Sequence, residues 1–422
     1  MNRRHALCCG PALAAGLFTG LVAKPAQAAL RNPCLGALPP ELARHELVLG
    51  AFDGIDARRL VDTHAHLLGT GDAGSGCSVH PTMTQWWHPA ENLRRKVILN
   101  AACVRPDAVS VDRAYIENLL AQANEFPAGA RWWLFAFEQA HDDAGRPRPD
   151  WSTFYVPNAY TAQVAAANRE HFRWVASIHP YRRDALTALD AALAAGAVAV
   201  KWLPSAMNID LRDPRCEPFY ARLAARGVPL IVHCGEEKAV PGAGRDEFGN
   251  PLLLRHALAA GVTVIAAHCA SLGHANDTDR RSAPAVSAFE LFTRLMDESP
   301  RGGRLLGDVS AVFQSNRKAG VGRMLLQRRD WHARLLHGSD HPLPGVMPLF
   351  SPRRLAHAGL LDEADIATLE RIRKHNPLLF DFVLKRRLRW QGAVLPASVF
   401  EAGALHAGPA TVAAAHPPHA AC

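Results

Sequence analysis

Apolar residues in this chain are gathered into short dense runs, at 59–62, 131–137, 174–179, 197–201, 228–233, 262–268, 304–310 and 334–337. Runs of this length without polar alternation are what strands look like when both of their faces are buried. The segments between them place apolar positions at helical spacing. Helices are predicted over 89–102, 111–124, 160–172, 184–195, 217–226, 252–260, 283–296 and 321–328, with a further one over 362–373 that continues through 376–380. Gly196, Gly227 and Gly261 stand where three of these helices should stop. Parallel strands cannot be joined by tight hairpins and need helical crossovers of one hand. Eight such units predict an α/β fold, a (β/α)8 barrel.

The polar residues that interrupt this pattern fall at strand ends. The first run leads into Asp62-Thr63-His64-Ala65-His66; in a strand, residues i and i+2 share a face, so both imidazoles converge on one spot, a metal-ligand geometry. Later runs stop on Lys201, His233 and His268, and the last leads into Gly338-Ser339-Asp340. All lie at C-terminal strand ends, the face on which such barrels carry their sites. His179 also ends a run, and reads either as a substrate contact or as a capped core histidine. The glycine-rich stretch 69–76, with Trp86, Trp87 and His88, predicts a long loop on the same face; Trp86, Trp87 and Trp202 are candidates to line an apolar pocket there, and Trp132 and Trp133 read as core. His337 should face away from the site, His341 reads as a loop histidine, and Cys234 and Cys269 read as packing residues.

Composition narrows the picture. At 422 residues, 49% hydrophobic and 20% charged, the chain can bury a full core. Residues 1–28 read as an export signal: basic Arg3-Arg4, an apolar stretch over 11–22, and Ala26-Gln27-Ala28 as a cleavage site. The paired arginines are similar to a twin-arginine signal, and the expected location is periplasmic. An uncut anchor is the alternative, although the apolar stretch is short for a bilayer; nothing later in the sequence is long and apolar enough to span one. Removing Arg3, Arg4 and Lys24 lowers the formal charge of +8 to about +5, a diffuse excess that suits anionic small molecules and gives no case for nucleic acid. Of nine cysteines two fall in the signal; the odd remainder argues against a disulfide framework but allows one or two bridges. Residues 29–57 form a lead-in with a short helix over 40–44. The barrel spans 58–385, and 386–422 reads as an Ala-, Gly- and Pro-rich tail, poorly ordered from 407; its His406, His416 and His419 read as solvated rather than ligating.

Taken as an ordered set, the residues around the two histidines, Lys201-Trp202-Leu203-Pro204, His233, His268 and Gly338-Ser339-Asp340 resemble the amidohydrolase superfamily, and its amidohydrolase-related (type 2) branch in particular. The resemblance implies a divalent metal, commonly Zn²⁺, held by His64, His66, His233 and Asp340, with Asp340, His268 and Lys201 as catalytic groups. One ion is expected; two would follow if Lys201 were carboxylated as a bridge. The implied function is hydrolysis of an amide, lactone or ester bond of a small molecule. Decarboxylation is the alternative within the branch, although those relatives often have Glu where His64 stands. A non-catalytic exported barrel that binds metal or ligand is the alternative outside it. An oligomer is compatible with all three.

Overall fold

Eight parallel strands form one sheet whose order follows the chain: β1 (Val61–His66), β2 (Arg131–Phe135), β3 (Phe172–Ala176), β4 (Ala199–Trp202), β5 (Leu230–His233), β6 (Val264–Ala267), β7 (Leu305–Asp308) and β8 (Leu335–Leu336). The computed structural model describes residues 31–299, 303–402 and 405. The expected export signal and the three tail histidines lie outside the described residues. Backbone hydrogen bonds join the two ends of the sheet: Thr63 N–H donates to the His337 carbonyl (2.9 Å), Asp340 N–H to His64 (2.7 Å) and His66 N–H to His341 (2.9 Å). The predicted (β/α)8 barrel is therefore the observed one. Among the described residues no helix is long and apolar enough to cross a membrane.

The crossover helices lie where the periodicity put them, with two instructive exceptions. The helix predicted over 160–172 is Asn158–Ala167, and Phe172 already opens β3. The helix predicted from 283 begins at Ala288, because Ala285–Ser287 pairs antiparallel with His274–Asn276 before the helix starts. Side chains pointing into the barrel, among them Val61, Phe135, Val175, Ile231, Ile265 and Leu306, form an inner core distinct from the larger one between strands and helices.

The barrel is built upon at both ends of the chain. In the lead-in, helices Pro40–Ala43 and Glu46–Ala51 precede Phe52, which stacks on Phe382 of helix Pro377–Arg387 at 4.8 Å. A disulfide joins Cys34 to Cys103, whereas Cys77, Cys216, Cys234 and Cys269 are free and buried. The expected tail boundary at 386 does not hold. Arg389–Trp390 and Ala393–Val394 form a hairpin, and helix Ala397–Phe400 follows it. Leu388, Leu395, Val399 and Phe400 are buried, and Ala402 and Leu405 join the inner barrel core. Apolar residues spaced through an Ala- and Gly-rich stretch supply that burial, which composition averaged over the segment conceals.

Candidate metal centre

Strict alternation from Val61, which faces the barrel interior, would turn Thr63 and Ala65 inward. Pairing of β1 with β2 instead shifts register between Asp62 and Ala65. An irregularity of this kind re-aims the side chains that follow it. Ala65 accordingly packs in the outer core, while the His64 ring lies against the inward-facing Phe135 at 4.6 Å and His268 at 4.7 Å. The ring of His66 is 5.3 Å from that of His64. Asp340, just beyond β8, places Oδ1 3.2 Å from His66 Nε2 and 3.5 Å from His64 Nε2. Ligating atoms of His64, His268 and Asp340, all three buried, lie within 4.8 Å of one another. The convergence therefore includes His268, for which a catalytic rather than a ligating role was expected, as a member of the cluster that could coordinate. His233 stands one ring away, 5.3 Å from His268.

Buried carboxylates hold these rings. Asp308, ending β7, accepts from His64 Nδ1 (2.9 Å) with one oxygen and from the backbone N–H groups of His268 (3.0 Å) and Ser310 (3.1 Å) with the other. Ser310 Oγ also bonds Asp308, and lies 2.7 Å from His268 Nδ1. With Nδ1 committed on both rings, Nε2 is the nitrogen each offers to the centre. Asp62 Oδ1 accepts from the backbone of His64 (3.0 Å) and Ser339 (2.9 Å), stitching β1 to the segment that carries Asp340. Gly338 is needed at this seam, since a Cβ there would meet His64 Cβ at 2.6 Å. Lys385 Nζ donates to its carbonyl (2.6 Å) from the helix outside.

Electrostatics follow from that arrangement. Burial pushes the Asp340 carboxyl up, but His268, His66 and His64 outweigh it and hold the group ionised well below the usual range. Burial and the charge of Lys201 bring His64 down to about 4, so its imidazole is neutral at pH 7. Burial likewise lowers Lys201, whose Nζ lies over the Phe135 ring at 5.3 Å. His233 Nδ1 faces Glu237 Oε2 at 3.3 Å. The cluster opens into a cavity of ≈ 270 Å³ at the C-terminal mouth, bordered also by Leu68, Phe137, Phe154, Glu237 and Arg317.

Two expected substrate contacts are corrected. Trp202 is 0% exposed, donates from Nε1 to the Ile178 carbonyl (2.8 Å) and packs on Phe219 and Tyr220. It follows the inward Lys201 by one residue and so faces the helices. His179 is fully buried outside the cavity, bonded to the Met207 carbonyl (2.8 Å) and accepting from Tyr181 N–H; of its two readings the capped core histidine describes it. Trp86 and Trp87 are 82% and 57% exposed and do not line the cavity. His337 packs on Phe400 and Phe382, and His341 is buried beside Tyr115. Asp308, Glu237 and Arg317 were not singled out from sequence. Asp308 carried a usable signal, as a lone acid near the C-terminal end of the apolar run 304–310, the end at which the ligands stand.

Among the described residues, the buried nitrogens His64 Nε2, His233 Nε2 and Lys201 Nζ have no hydrogen-bond partner. Buried polar atoms are normally satisfied. Neutral imidazoles with free Nε2 lone pairs around an ionised aspartate are a donor set that fits a divalent cation. Fold and site thus define a (β/α)8 barrel with a His/Asp centre able to hold a metal ion at its C-terminal mouth. The family model described as amidohydrolase matches residues 61–380, and the chain belongs to that family, the amidohydrolase-2 family. No curated protein matches the sequence significantly. Similar solved structures include an uncharacterised TIM-barrel protein from Bordetella bronchiseptica (17% identity, 68% of this chain and 88% of that one, TM-score 0.42). A putative 2-pyrone-4,6-dicarboxylic acid hydrolase from Pseudomonas putida is similar at 14% identity (76% and 97% covered, TM-score 0.42). The 5-carboxyvanillate decarboxylase of Sphingomonas paucimobilis is similar at 12% identity (77% and 96% covered, TM-score 0.36).

Proposed function

We propose that the protein is an exported metal-dependent hydrolase that adds water across an amide, lactone or ester bond of a small molecule. The observation that carries this reading is the set of free Nε2 atoms of buried histidines facing the ionised Asp340 at the mouth of the barrel. A single divalent ion, Zn²⁺ by preference, would be held by His64, His66, His268 and Asp340, with His233 adjoining. Bound there, such an ion supplies Lewis acidity, polarising the substrate carbonyl and acidifying water.

The chain's own groups account for the rest. Asp340 accepts the proton of the attacking water at its carboxylate and returns it to the leaving nitrogen or oxygen. Asp308 fixes His64 in the tautomer with hydrogen on Nδ1, and Ser310 fixes the ring of His268. Glu237 does the same for His233. Lys201, an amine in the one-ion reading, orients the polar end of the substrate. Leu68, Phe137 and Phe154 hold its apolar part and exclude bulk water. The Cys34–Cys103 disulfide supports export, because such bridges persist in oxidising compartments.

The test is product analysis in ¹⁸O-water with the metal content of the same preparation. Hydrolysis predicts one ¹⁸O in the acid product and one ion per chain, lost in His64→Ala. Release of CO₂ without ¹⁸O would replace the hydrolase with a decarboxylase, and a metal-replete protein inert toward esters, lactones and amides would leave a binding barrel. Export predicts a mature N-terminus at residue 29 by mass spectrometry of the periplasmic fraction; an intact leader would refute it.

A further inference from the structure

The carboxylates around the cavity all have partners of opposite or potentially opposite charge. Asp340 Oδ1 lies 3.2 Å from His66 Nε2, Glu237 Oε2 3.3 Å from His233 Nδ1, and Glu236 Oε1 3.2 Å from Lys238 Nζ. Arg317 has no such partner. It is 9% exposed, on the loop after β7 at the wall of the same cavity, and among the described residues its guanidinium makes no ion pair or hydrogen bond; its Nε is fully buried. Asp340, Glu237 and Glu236 are near enough to feel its charge, and with their help it remains a cation at neutral pH although burial lowers it to about 10. Gln314, three residues before it on the same wall, has a buried Nε2 that likewise finds no partner among the described residues.

A guanidinium withdrawn from water with no direct ion pair or hydrogen bond is costly, and so is a buried amide donor without an acceptor. Two such donors side by side on a cavity wall mark a place for an anion. We propose that the substrate carries a carboxylate, bound by Arg317 with Gln314 Nε2, so that a small apolar acid with a hydrolysable bond elsewhere in the molecule is the class turned over; calling it a substrate rests on the hydrolase reading. The planar edge of a guanidinium matches the two oxygens of a carboxylate, and its single charge matches a monoanion better than a phosphate dianion. The other unpaired cation, Lys201, lies over Phe135 among the residues of the metal centre. The neighbouring walls, including Leu68, Ile98, Phe137, Phe154 and Leu349, are apolar and suit a hydrocarbon body.

Calorimetric titration of the metal-replete full chain with benzoate and with benzamide tests this, in the wild type, Arg317→Met and Arg317→Lys. Benzoate should bind roughly ten-fold or more tightly than benzamide, the preference should vanish in Arg317→Met, and Arg317→Lys should keep part of it. Retained benzamide affinity shows that the variants are folded. A wild type that binds both probes equally, or a preference for benzoate that survives in Arg317→Met, would overturn the assignment. Failure of the hydrolase reading looks different: no bound metal or no turnover of neutral esters, with the benzoate preference and its dependence on Arg317 unchanged.

Discussion

Replacing Asp308 by Asn changes one atom and removes one charge at the point where two ligand-bearing strands are tied together. One Asp308 oxygen takes His64 Nδ1 at 2.9 Å; the other takes two backbone N–H groups and the Ser310 hydroxyl. An amide in the same place must turn its NH₂ toward one of these sets, where donor meets donor. If it faces His64, the ring loses its fixed tautomer; if it faces His268, the backbone carrying that ring is released. Either way at least one hydrogen bond to a charged acceptor goes, worth roughly 1.5–3 kcal/mol. Partners of metal-binding histidines typically contribute about 10- to 100-fold in affinity. Asp308→Asn is therefore expected to weaken Zn²⁺ binding by that factor in competition against a chromophoric chelator, with far-UV circular dichroism confirming the fold. An affinity within about two-fold of wild type would refute the claim that Asp308 prepares His64 and His268, since a hydrogen bond contributing even 0.5 kcal/mol would exceed that change.

Three further outcomes follow from the same geometry. Trp202→Phe keeps most of the volume but loses the Nε1 bond to Ile178, so it should lower stability by about 1–2 kcal/mol in urea melts while KM is unchanged; a raised KM with unchanged stability would return Trp202 to the substrate site. Burial and the neighbouring His141 hold His179 down to about 3, so below pH 6.5 the unfolded chain takes up a proton that the native one refuses. Stability present at pH 7 is thus lost on acidification, by about 2 kcal/mol at pH 5 from this residue, and His179→Asn should flatten that part of the slope in denaturant melts at the two pH values; an unchanged slope would count against it. Cys34→Ser/Cys103→Ser opens a bridge between residues 69 apart, for which chain entropy predicts a loss of about 4 kcal/mol, read as a lower Tm that reducing agent reproduces in the wild type only.

The barrel was legible because parallel strands buried on two faces leave continuous apolar runs, and each run here has its strand. Convergence of His64 with Asp340 was legible because strand ends of one barrel face one way. The register shift between Asp62 and Ala65 was not, since it depends on how β1 pairs with β2 and leaves no mark in composition. Trp202 was misjudged although alternation from Lys201 already turned it outward. Glu237 and Arg317 lie on loops, where no periodicity points to a face, and only the fold shows that they share a cavity. Residues Ala285–Ser287 form a strand rather than a helical turn because a partner strand is available at His274–Asn276, a tertiary fact that local spacing cannot register.

The segment beyond the family match has a bearing on how the molecule meets its surroundings. Ala402 and Leu405 join the inner barrel core that contains Val61, Ile231 and Leu306, while Phe400 packs on His337 and Phe382 in the outer one, with Val399 accepting the His337 N–H at 2.8 Å. The inner core of the barrel is thus completed by residues from beyond the family match, so this segment belongs to the folded unit and is no appendage to it. Trimming the chain at residue 380, where the family match ends, would uncover apolar side chains of that inner core to water.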